Sequence, residues 1–185
     1  MPNGIKSIGT SAFEYLLNAK TVTLPEGLEI IKDSAFRGPS TGKNIIEITS
    51  LPSTLKSLGE ETFYRNDGIS ITSIPKGIVE LPYRCFYNCA NVRVDTFGSA
   101  EGQSLMTIGE DCFRNAGSNV TAINRIYLHQ SVKVLASKCF EKYGSATGPK
   151  EIYTTLPADD PDRMSWNIEA ACGGNGATVS TWDGQ

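Results

Sequence analysis

Few residues of this chain have the type and spacing that acid–base or nucleophilic chemistry requires. The single histidine, His129, stands beside a predicted strand end, where we expect a solvent-tolerant turn residue. The carboxylate pairs Glu60–Glu61 and Glu110–Asp111 occupy matching positions of a repeat, which predicts a solvated surface and no acid–base dyad. The motifs GxxxxGK and HExxH do not occur, and the single match to GxSxG, residues 38–42, lies in a predicted surface loop. The sequence therefore predicts that the protein is not an enzyme and uses no cofactor.

The cysteines and the acidic cluster near the end also favour structural roles. Cys85, Cys112 and Cys139 share one repeat position, which predicts a buried ladder of small apolar side chains. A disulfide between adjacent rungs is the alternative, because stacked residues would lie within the allowed Cα separation. The aspartates within residues 159–162 lack the alternation of a hand-type calcium loop, so we expect capping of a helix and no metal site.

A regular spacing of phenylalanines predicts the architecture that positions the residues named above. An aliphatic residue stands five residues before each of the six phenylalanines, and another stands eight residues before. The intervals between them are 23 or 27 residues. Such a fixed period is the signature of stacked repeats. The six residues are Phe13, Phe36, Phe63, Phe86, Phe113 and Phe140.

Each repeat is too small to bury its own apolar residues, so stacking must build a continuous core. Short alternating segments predict one strand per rung, at residues 22–24, 48–51, 71–74, 92–94 and 126–128. Gly9, Gly59 and Gly109 follow the aliphatic residue, where a turn with positive φ is expected. The one phenylalanine out of register, Phe97, is predicted to plug the core, with an exposed anchor as the alternative. Insertions at residues 37–44 and 95–104 are predicted surface loops.

The repeat unit resembles the BspA-type leucine-rich repeats, whose pattern LPxxLxxIGxxAFxxC spans about 23 residues and is matched over residues 2–156. Only Cys89 stands at the family's cysteine position after AF. The resemblance implies a β-rich, right-handed curved solenoid of about six rungs, with short strands on its concave face. It also implies a bacterial cell-surface or secreted protein that binds other macromolecules and has no catalytic machinery.

The repeats end near residue 157, which predicts a solenoid over residues 1–157 and a cap and tail over 158–185. Asp160 as N-cap, Pro161 at the first helical position and Gly173 as the stop predict one capping helix. Its apolar face at helical spacing is predicted to cover the last rung. That face comprises Met164, Ile168, Ala171 and Cys172.

Composition excludes two classes of partner. The net charge is −3, the isoelectric point is near 5.2, and no basic stripe occurs, so a nucleic-acid partner is not expected. No apolar run is long enough to span a membrane.

The first nine residues, MPNGIKSIG, already carry the repeat pattern and not a signal peptide. Because the first rung starts halfway and lacks a polar cap, we expect a piece of a longer protein or a partner that covers this end.

The outward positions of the predicted strands are the candidate binding residues, since alternate strand side chains point to opposite faces. They are predicted to form a concave binding face that comprises Thr23, Ser50, Ser73, Arg93, Tyr127 and Tyr153. The prediction is an adhesion-type module that binds a protein or a glycan there. The alternative is a structural spacer that assembles with another domain or another copy through its open N-terminal rung.

Overall fold

The computed structural model describes residues 1–2, 4–16, 21–39, 46–98 and 105–184, and it is a β-solenoid of about six turns. Parts of the two predicted surface loops, residues 40–44 and 99–104, lie outside these residues. The predicted β-rich repeat solenoid is confirmed.

Within the described residues, ten short strands pair only in parallel, as stacked rungs require. In chain order they are β1 (Ser7–Ile8), β2 (Ile30–Ile31), β3 (Ser57–Leu58), β4 (Glu80–Leu81), β5 (Thr96–Phe97), β6 (Thr107–Ile108), β7 (Arg125–Leu128), β8 (Val134–Leu135), β9 (Glu151–Thr154) and β10 (Thr178–Thr181). They form two three-stranded sheets, β1-β2-β3 and β4-β6-β8, and one four-stranded sheet, β10-β9-β7-β5.

The strands lie mostly outside the segments that the sequence predicted. Six of them contain the aliphatic residue five positions before each phenylalanine. Of the predicted segments, only 126–128 falls within a strand, whereas Ile48 makes a single bridge to Ile69. The segments at 22–24, 71–74 and 92–94 form no continuous ladder and contribute isolated bonds, such as Arg93 N to Ile71 O at 2.9 Å. At 22–24 and 71–74, three or four residues followed by a proline leave too few donors for a ladder. At 92–94, which Asp95 follows, the Val94 nitrogen donates to the Tyr143 hydroxyl at 2.6 Å instead of to a neighbouring strand.

The phenylalanines build the centre of the core as one stacked column. Their ring centroids are 5.1 to 6.0 Å apart between consecutive rungs, within the range of favourable stacking. Phe97 is fully buried in β5 and packs edge-on against Phe113 at 5.3 Å, so its prediction as a core plug is confirmed. Cys85, Cys112 and Cys139 are buried beside this column, as predicted, and their thiols are free.

The turn around each phenylalanine carries a second hydrogen-bond ladder, which we call the Phe-turn ladder. The residues two before, at and two after the phenylalanine donate to carbonyls of the following rung. In the rung of Phe63, the donors are Glu61, Phe63 and Arg65, and the acceptors are Tyr83, Cys85 and Tyr87, at 2.8 to 3.0 Å. Left-handed φ values recur two residues before and two after the phenylalanines, at Ser11, Tyr15, Ser34, Glu61, Arg65, Arg84, Asn88, Asp111, Asn115, Lys138 and Lys142.

The prediction of positive φ at the repeated glycines is wrong, since Gly9, Gly59 and Gly109 are not among the positive-φ residues. Gly59 is instead required by close approach: a Cβ there would lie 2.3 Å from the backbone nitrogen of Asp33 in the preceding rung. At Gly109 the nearest atom would be the Leu81 carbonyl oxygen, 2.8 Å away. A Cβ on Gly9 would have no described atom within 4 Å apart from its chain neighbours.

Charged side chains on the Phe turns form an ion-pair ladder along the solenoid. Arg37 bridges Glu14 and Glu61, Arg84 bridges Glu61 and Asp111, and Arg114 bridges Asp111 and Glu141. The sequence interpretation of these carboxylate pairs as a solvated surface holds for Glu60 and Glu110 but is wrong for Glu61 and Asp111. The left-handed turn directs Asp111, which is only 3% exposed, along the stack toward arginines of its own and the preceding rung.

The C-terminal region begins with two short helices, α1 (Pro161–Ser165) and α2 (Ile168–Ala171), and not one. Asp160 caps α1, as predicted, by accepting from the backbone nitrogens of Asp162 and Arg163. The helix breaks at Trp166, whose indole Nε1 donates to the Lys133 carbonyl at 2.9 Å, and Asn167 caps α2. Because of this break Met164 is 72% exposed, so its predicted place on the covering face is wrong.

The last rung is nevertheless covered. Ala171 and Cys172 are buried, and Ile168 packs against the core. The Phe-turn donors Lys138 and Phe140 find carbonyls at Ala170 and Ala171, at 2.7 and 2.9 Å. The α2 helix thus supplies the acceptors that another rung would supply. Downstream, β10 pairs with β9 and extends the four-stranded sheet.

Candidate functional site

The outward side of the four-stranded sheet brings together the aromatic and charged residues of the last rungs. We call it the aromatic face and define it by Arg125, Tyr127, Glu151, Tyr153 and Trp182. Strand register places Arg125 beside Glu151, and Tyr127 between Thr96 and Tyr153. Ile126, Leu128 and Ile152, which alternate with these residues, point into the core and are buried. Alternation along β7 and β9 therefore fixes which side chains reach the surface.

Three aromatic rings meet on this face. Tyr127 stacks on Tyr153 at 5.4 Å between centroids, with an angle of 19°. Trp182 follows β10, and its ring lies edge-on to Tyr127 at 5.1 Å. The ring centroid of the same indole lies 4.9 Å from that of His129. The Trp182 side chain therefore reaches from the end of β10, past β9, to residues of the β7 rung. Tyr127, Tyr153 and Trp182 remain partly exposed, which leaves aromatic surface available to a ligand.

A charged pair lies beside the rings. Arg125 Nε donates to Glu151 Oε2 at 2.6 Å, and the Tyr153 hydroxyl donates to the same oxygen at 3.1 Å. The hydrogen bond from Arg125, followed by that from Tyr153, lowers the pKa of Glu151. The bond to Glu151 raises the pKa of Arg125, and it also raises the pKa of Tyr153. The pair is therefore charged and its geometry is held by the tyrosine.

Two adjoining depressions open on the aromatic face. The first has a volume of about 630 Å³, and its lining includes Arg93, Asp95, Arg125, Lys150 and Glu151. The second has a volume of about 520 Å³ and is lined by Thr96, Arg125, Tyr127, Tyr153 and Trp182. Arg125 and Tyr127 border both, so one extended ligand could occupy the two together. Both volumes fall within the range of small-molecule sites.

The structure brings three of the six sequence-predicted face residues together. Arg93 and Tyr127 line the first depression, and Tyr153 stacks on Tyr127. Thr23, Ser50 and Ser73 are exposed on earlier rungs, away from these depressions. They do not continue a single row, because the bridge of Ile48 to Ile69 puts Ser50 beside Ile71, and not beside Ser73. The aromatic part of the prediction therefore has the clearer geometry.

Sequence reasoning missed Trp182, Arg125 and Glu151. Trp182 stands in a tail without the repeat pattern, so no register could place it on the sheet. Arg125 and Glu151 precede the alternating segments by one residue, and only the four-residue length of β7 and β9 brings them onto the same face. Arg125 and Glu151 each stand two positions before a tyrosine, Tyr127 and Tyr153, and this shared spacing could have placed them on the same face of the strands.

His129 is not the solvent-tolerant turn residue that we expected. It is 7% exposed, and burial lowers the pKa of its imidazole. Its Nδ1 atom has no hydrogen-bond partner within the described part of the chain. Among the described residues, no group of three or more histidine, cysteine, aspartate or glutamate side chains could hold a metal ion. The helices within those ranges are also too short and too polar to cross a membrane.

Comparison with known families identifies the repeat. The family model described as BspA type leucine-rich repeat region matches residues 1–118 with six copies, which is more than half of the 185-residue chain. The solenoid itself continues past this match, through the rung of Phe140. A search of curated proteins gave no match. Repeats of this family are often surface adhesion or protein-binding modules. On the matched repeats and the stacked rungs together, the chain belongs to the BspA-type leucine-rich repeat family.

Proposed function

We propose that this protein is a non-enzymatic, adhesion-type binding module that holds a macromolecule on its aromatic face. The observation that carries the proposal is the cluster of Tyr127, Tyr153 and Trp182 beside Arg93 and Arg125. Tyrosine, tryptophan and arginine are the residue types enriched in binding hot spots. A cross-strand aromatic pair stabilises a sheet by only roughly 0.2–1 kcal/mol, so a cluster of three partly exposed rings beside two arginines favours a binding role.

The sheet behind this face suits a binding role because it is rigid. The strands β7 and β9 are each bonded on both sides, and their inward residues belong to the continuous core. Side chains on such a support lose little conformational freedom on binding, which improves affinity. A repeat solenoid is typically a non-enzymatic scaffold, and the aromatic face offers contact surface without an arranged nucleophile and base. We infer a bacterial surface or secreted location, as is typical of the family.

The proposal is tested by binding of the purified chain to arrayed matrix proteins and glycans. The double variant Arg93→Ala/Tyr127→Ala should lose saturable binding while its melting temperature stays within a few degrees of wild type. The matched control is Arg65→Ala/Tyr64→Ala, which removes the same two residue types from the Phe turns. Unchanged binding by the first double variant, or an equal loss in both, would refute the aromatic face as the binding site.

A second candidate, an assembly module, is favoured by the first rung. Phe13 is only partly buried, whereas its counterparts in the following rungs are fully buried. Tyr15 and Leu16 nearby are 49% and 39% exposed. A second copy or another domain stacked on this rung would cover them. Sedimentation that shows dimers at high concentration, lost in Leu16→Ser, would support assembly, and a strict monomer would count against it.

A further inference from the structure

We propose that the two depressions of the aromatic face bind an acidic saccharide, a hexuronate-containing oligosaccharide, through its carboxylate and its ring faces. This rests on the proposed binding function and names the chemistry of its ligand. Three independent observations support it: the charge of the first depression, the aromatic surface of the second, and the hydrogen bonding of the sheet backbone, whose main-chain groups are already paired.

The charge balance of the first depression favours an anion. Its cations are Arg93, Arg125 and Lys150, and its anions are Asp95 and Glu151. Arg125 and Glu151 neutralise each other across 2.6 Å. Within the described residues Arg93 has no ion pair, and the Lys150 ammonium donates to the uncharged Asn175 carbonyl at 2.6 Å. The depression therefore has one cation more than it has anions, in a chain whose net charge is −3.

Arg93 is well placed for a carboxylate. It is exposed, its flanking residues Val92 and Val94 are fully buried, and its backbone nitrogen is fixed to the Ile71 carbonyl. Its guanidinium thus stands on an anchored backbone at the rim of the depression. A planar guanidinium can bind both oxygens of a carboxylate, a pairing stronger than a neutral hydrogen bond.

The second depression supplies ring surface. Three of its five lining residues are aromatic, namely Tyr127, Tyr153 and Trp182. The other two are Thr96 and Arg125. The axial hydrogens of a pyranose ring give it an apolar face that packs against aromatic rings, while its hydroxyls need donors and acceptors at the rim. The Arg125–Glu151 pair lies on the boundary between the depressions and offers both kinds of group. A uronate residue at Arg93 can therefore be followed by a sugar ring at the tyrosines.

The backbone argues against an extended peptide. Peptides that bind sheets gain much of their affinity by adding a strand to an open edge. Four of the five residues of the aromatic face lie on β7 and β9, which are interior strands of the order β10-β9-β7-β5, and Trp182 follows the edge strand β10. Their main-chain groups are already paired with neighbouring strands, so the face offers side chains alone. A saccharide, which has no main chain to pair, fits this surface better.

The test is calorimetric titration at low ionic strength with a trimer of galacturonic acid. The neutral galactose trimer of the same linkage and a glutamate hexapeptide are the comparison ligands. We expect the acidic trimer to bind at least about tenfold more tightly than the neutral one, the effect of one charge-assisted contact. Arg93→Gln should remove about that factor for the acidic trimer and leave the neutral trimer within twofold.

A control variant and a second variant keep the test decisive. Lys32→Gln removes one positive charge beside β2, on another sheet, and should keep wild-type affinity within twofold. Tyr127→Leu should weaken both trimers by a similar factor, with the fold checked by thermal melting. Equal affinity for the two trimers, or no effect of Arg93→Gln, would overturn the proposal, as would binding of the glutamate peptide alone.

The outcome also separates this inference from the binding function it rests on. If arrayed targets bind through the aromatic face but no acidic saccharide does, the saccharide assignment fails and the binding module stands. If the Arg93→Ala/Tyr127→Ala variant keeps full binding to its targets, both fail.

Discussion

At the scale of single residues, the phenylalanine column gives each rung its anchor. From Phe36 to Phe140 these rings are fully buried, and each contacts the ring before or after it. Fully burying such a side chain contributes roughly 1.5–3 kcal/mol, and stacking adds about 0.5–1.5 kcal/mol per pair. A rung that loses its phenylalanine therefore loses contact with both neighbours at once.

Replacing Phe86 by alanine should lower the free energy of unfolding by about 3–5 kcal/mol, the usual cost of emptying a large buried site. Its ring lies 5.4 Å from that of Phe63 and 5.2 Å from that of Phe113. Ser73→Ala, on the exposed side of the same repeat, should change stability by less than about 0.5 kcal/mol. Urea denaturation measures both, and equal costs would contradict the inward and outward assignment.

The glycines after the aliphatic residue permit a second matched comparison. Gly59→Ala should destabilise the chain by about 1–3 kcal/mol, because its Cβ would overlap the backbone of Asp33 and force the rungs apart. Gly9→Ala introduces the same methyl group where no described atom apart from its chain neighbours lies within 4 Å, and should be nearly neutral. Thermal melting of the two variants decides the matter. If Gly9→Ala proved as costly as Gly59→Ala, backbone conformation and not rung contact would explain the glycines.

His129 should make stability depend on pH. Burial lowers the pKa of its imidazole below the value of about 6.5 that it has in the unfolded chain. The unfolded state therefore binds the proton more readily, so this contribution is complete above about pH 6.5 and is lost as the pH falls through the lower, folded pKa. Denaturation between pH 7.5 and 5 should show a steeper loss of stability for wild type than for His129→Gln. Parallel curves would mean that the imidazole titrates normally in the folded protein.

At the scale of elements, the Phe turns do more than reverse the chain. Their left-handed residues direct backbone donors at the next rung, and their side chains link Glu14 to Glu141 through three arginines. Tyr64 and Tyr87 stack at 5.0 Å on this side, with Arg37 and Arg84 over their rings. Isolated surface ion pairs contribute little, but a network with nearly buried carboxylates contributes more.

Asp111→Asn should therefore cost about 2–4 kcal/mol, because it leaves both Arg84 and Arg114 with a weaker partner in a partly buried place. The neighbouring Glu110→Gln, which is exposed, removes one negative charge and should change stability by less than about 0.5 kcal/mol. Chemical denaturation at low and at high salt compares them. If Asp111→Asn lowered the free energy of unfolding no more than Glu110→Gln does, the ion-pair ladder would not contribute to stability.

The period of the sequence was sufficient to predict the column of phenylalanines, the buried cysteines and the solenoid, because each depends on a position that recurs six times. The hydrogen-bond ladders were not predictable in the same way. Strand formation depends on how consecutive rungs are offset, and the chain mixes intervals of 23 and 27 residues. The bridge between Ile48 and Ile69 spans 21 residues, which is neither interval, so the repeat alignment of Ser50 with Ser73 is two positions out of register.

The C-terminal end shows the same limit. Asp160 and Pro161 correctly predicted the start of a helix, because N-capping and the fixed backbone of proline act on neighbouring residues. The break at Trp166 depends on a tertiary bond to the Lys133 carbonyl, which local sequence does not reveal. Trp182 reaches Tyr127 only because β10 joins the sheet, and nothing in its own neighbourhood predicted that pairing. Tyr127 and Tyr153 were predictable from the alternation of side chains along their strands, whereas Trp182 was not.

At the scale of the whole molecule, the chain is a short stack with one chemically distinctive region. The core is continuous from Ile8 to Cys172, so the rungs support one another. Aromatic and charged side chains collect over the last strands, on the face that the four-stranded sheet holds rigid. The proposed binding surface thus lies toward the C-terminal rungs of the molecule.

The most direct test of this account is nuclear magnetic resonance mapping of the contact surface for the first target that the array identifies. We predict that ligand-induced shifts concentrate on residues 93–97, 125–129, 151–155 and 178–182, and that Arg93→Ala/Tyr127→Ala abolishes them. Shifts confined to the Phe turns or to the first rung would contradict the account and point to assembly. Failure of every arrayed target to bind saturably would contradict it as well.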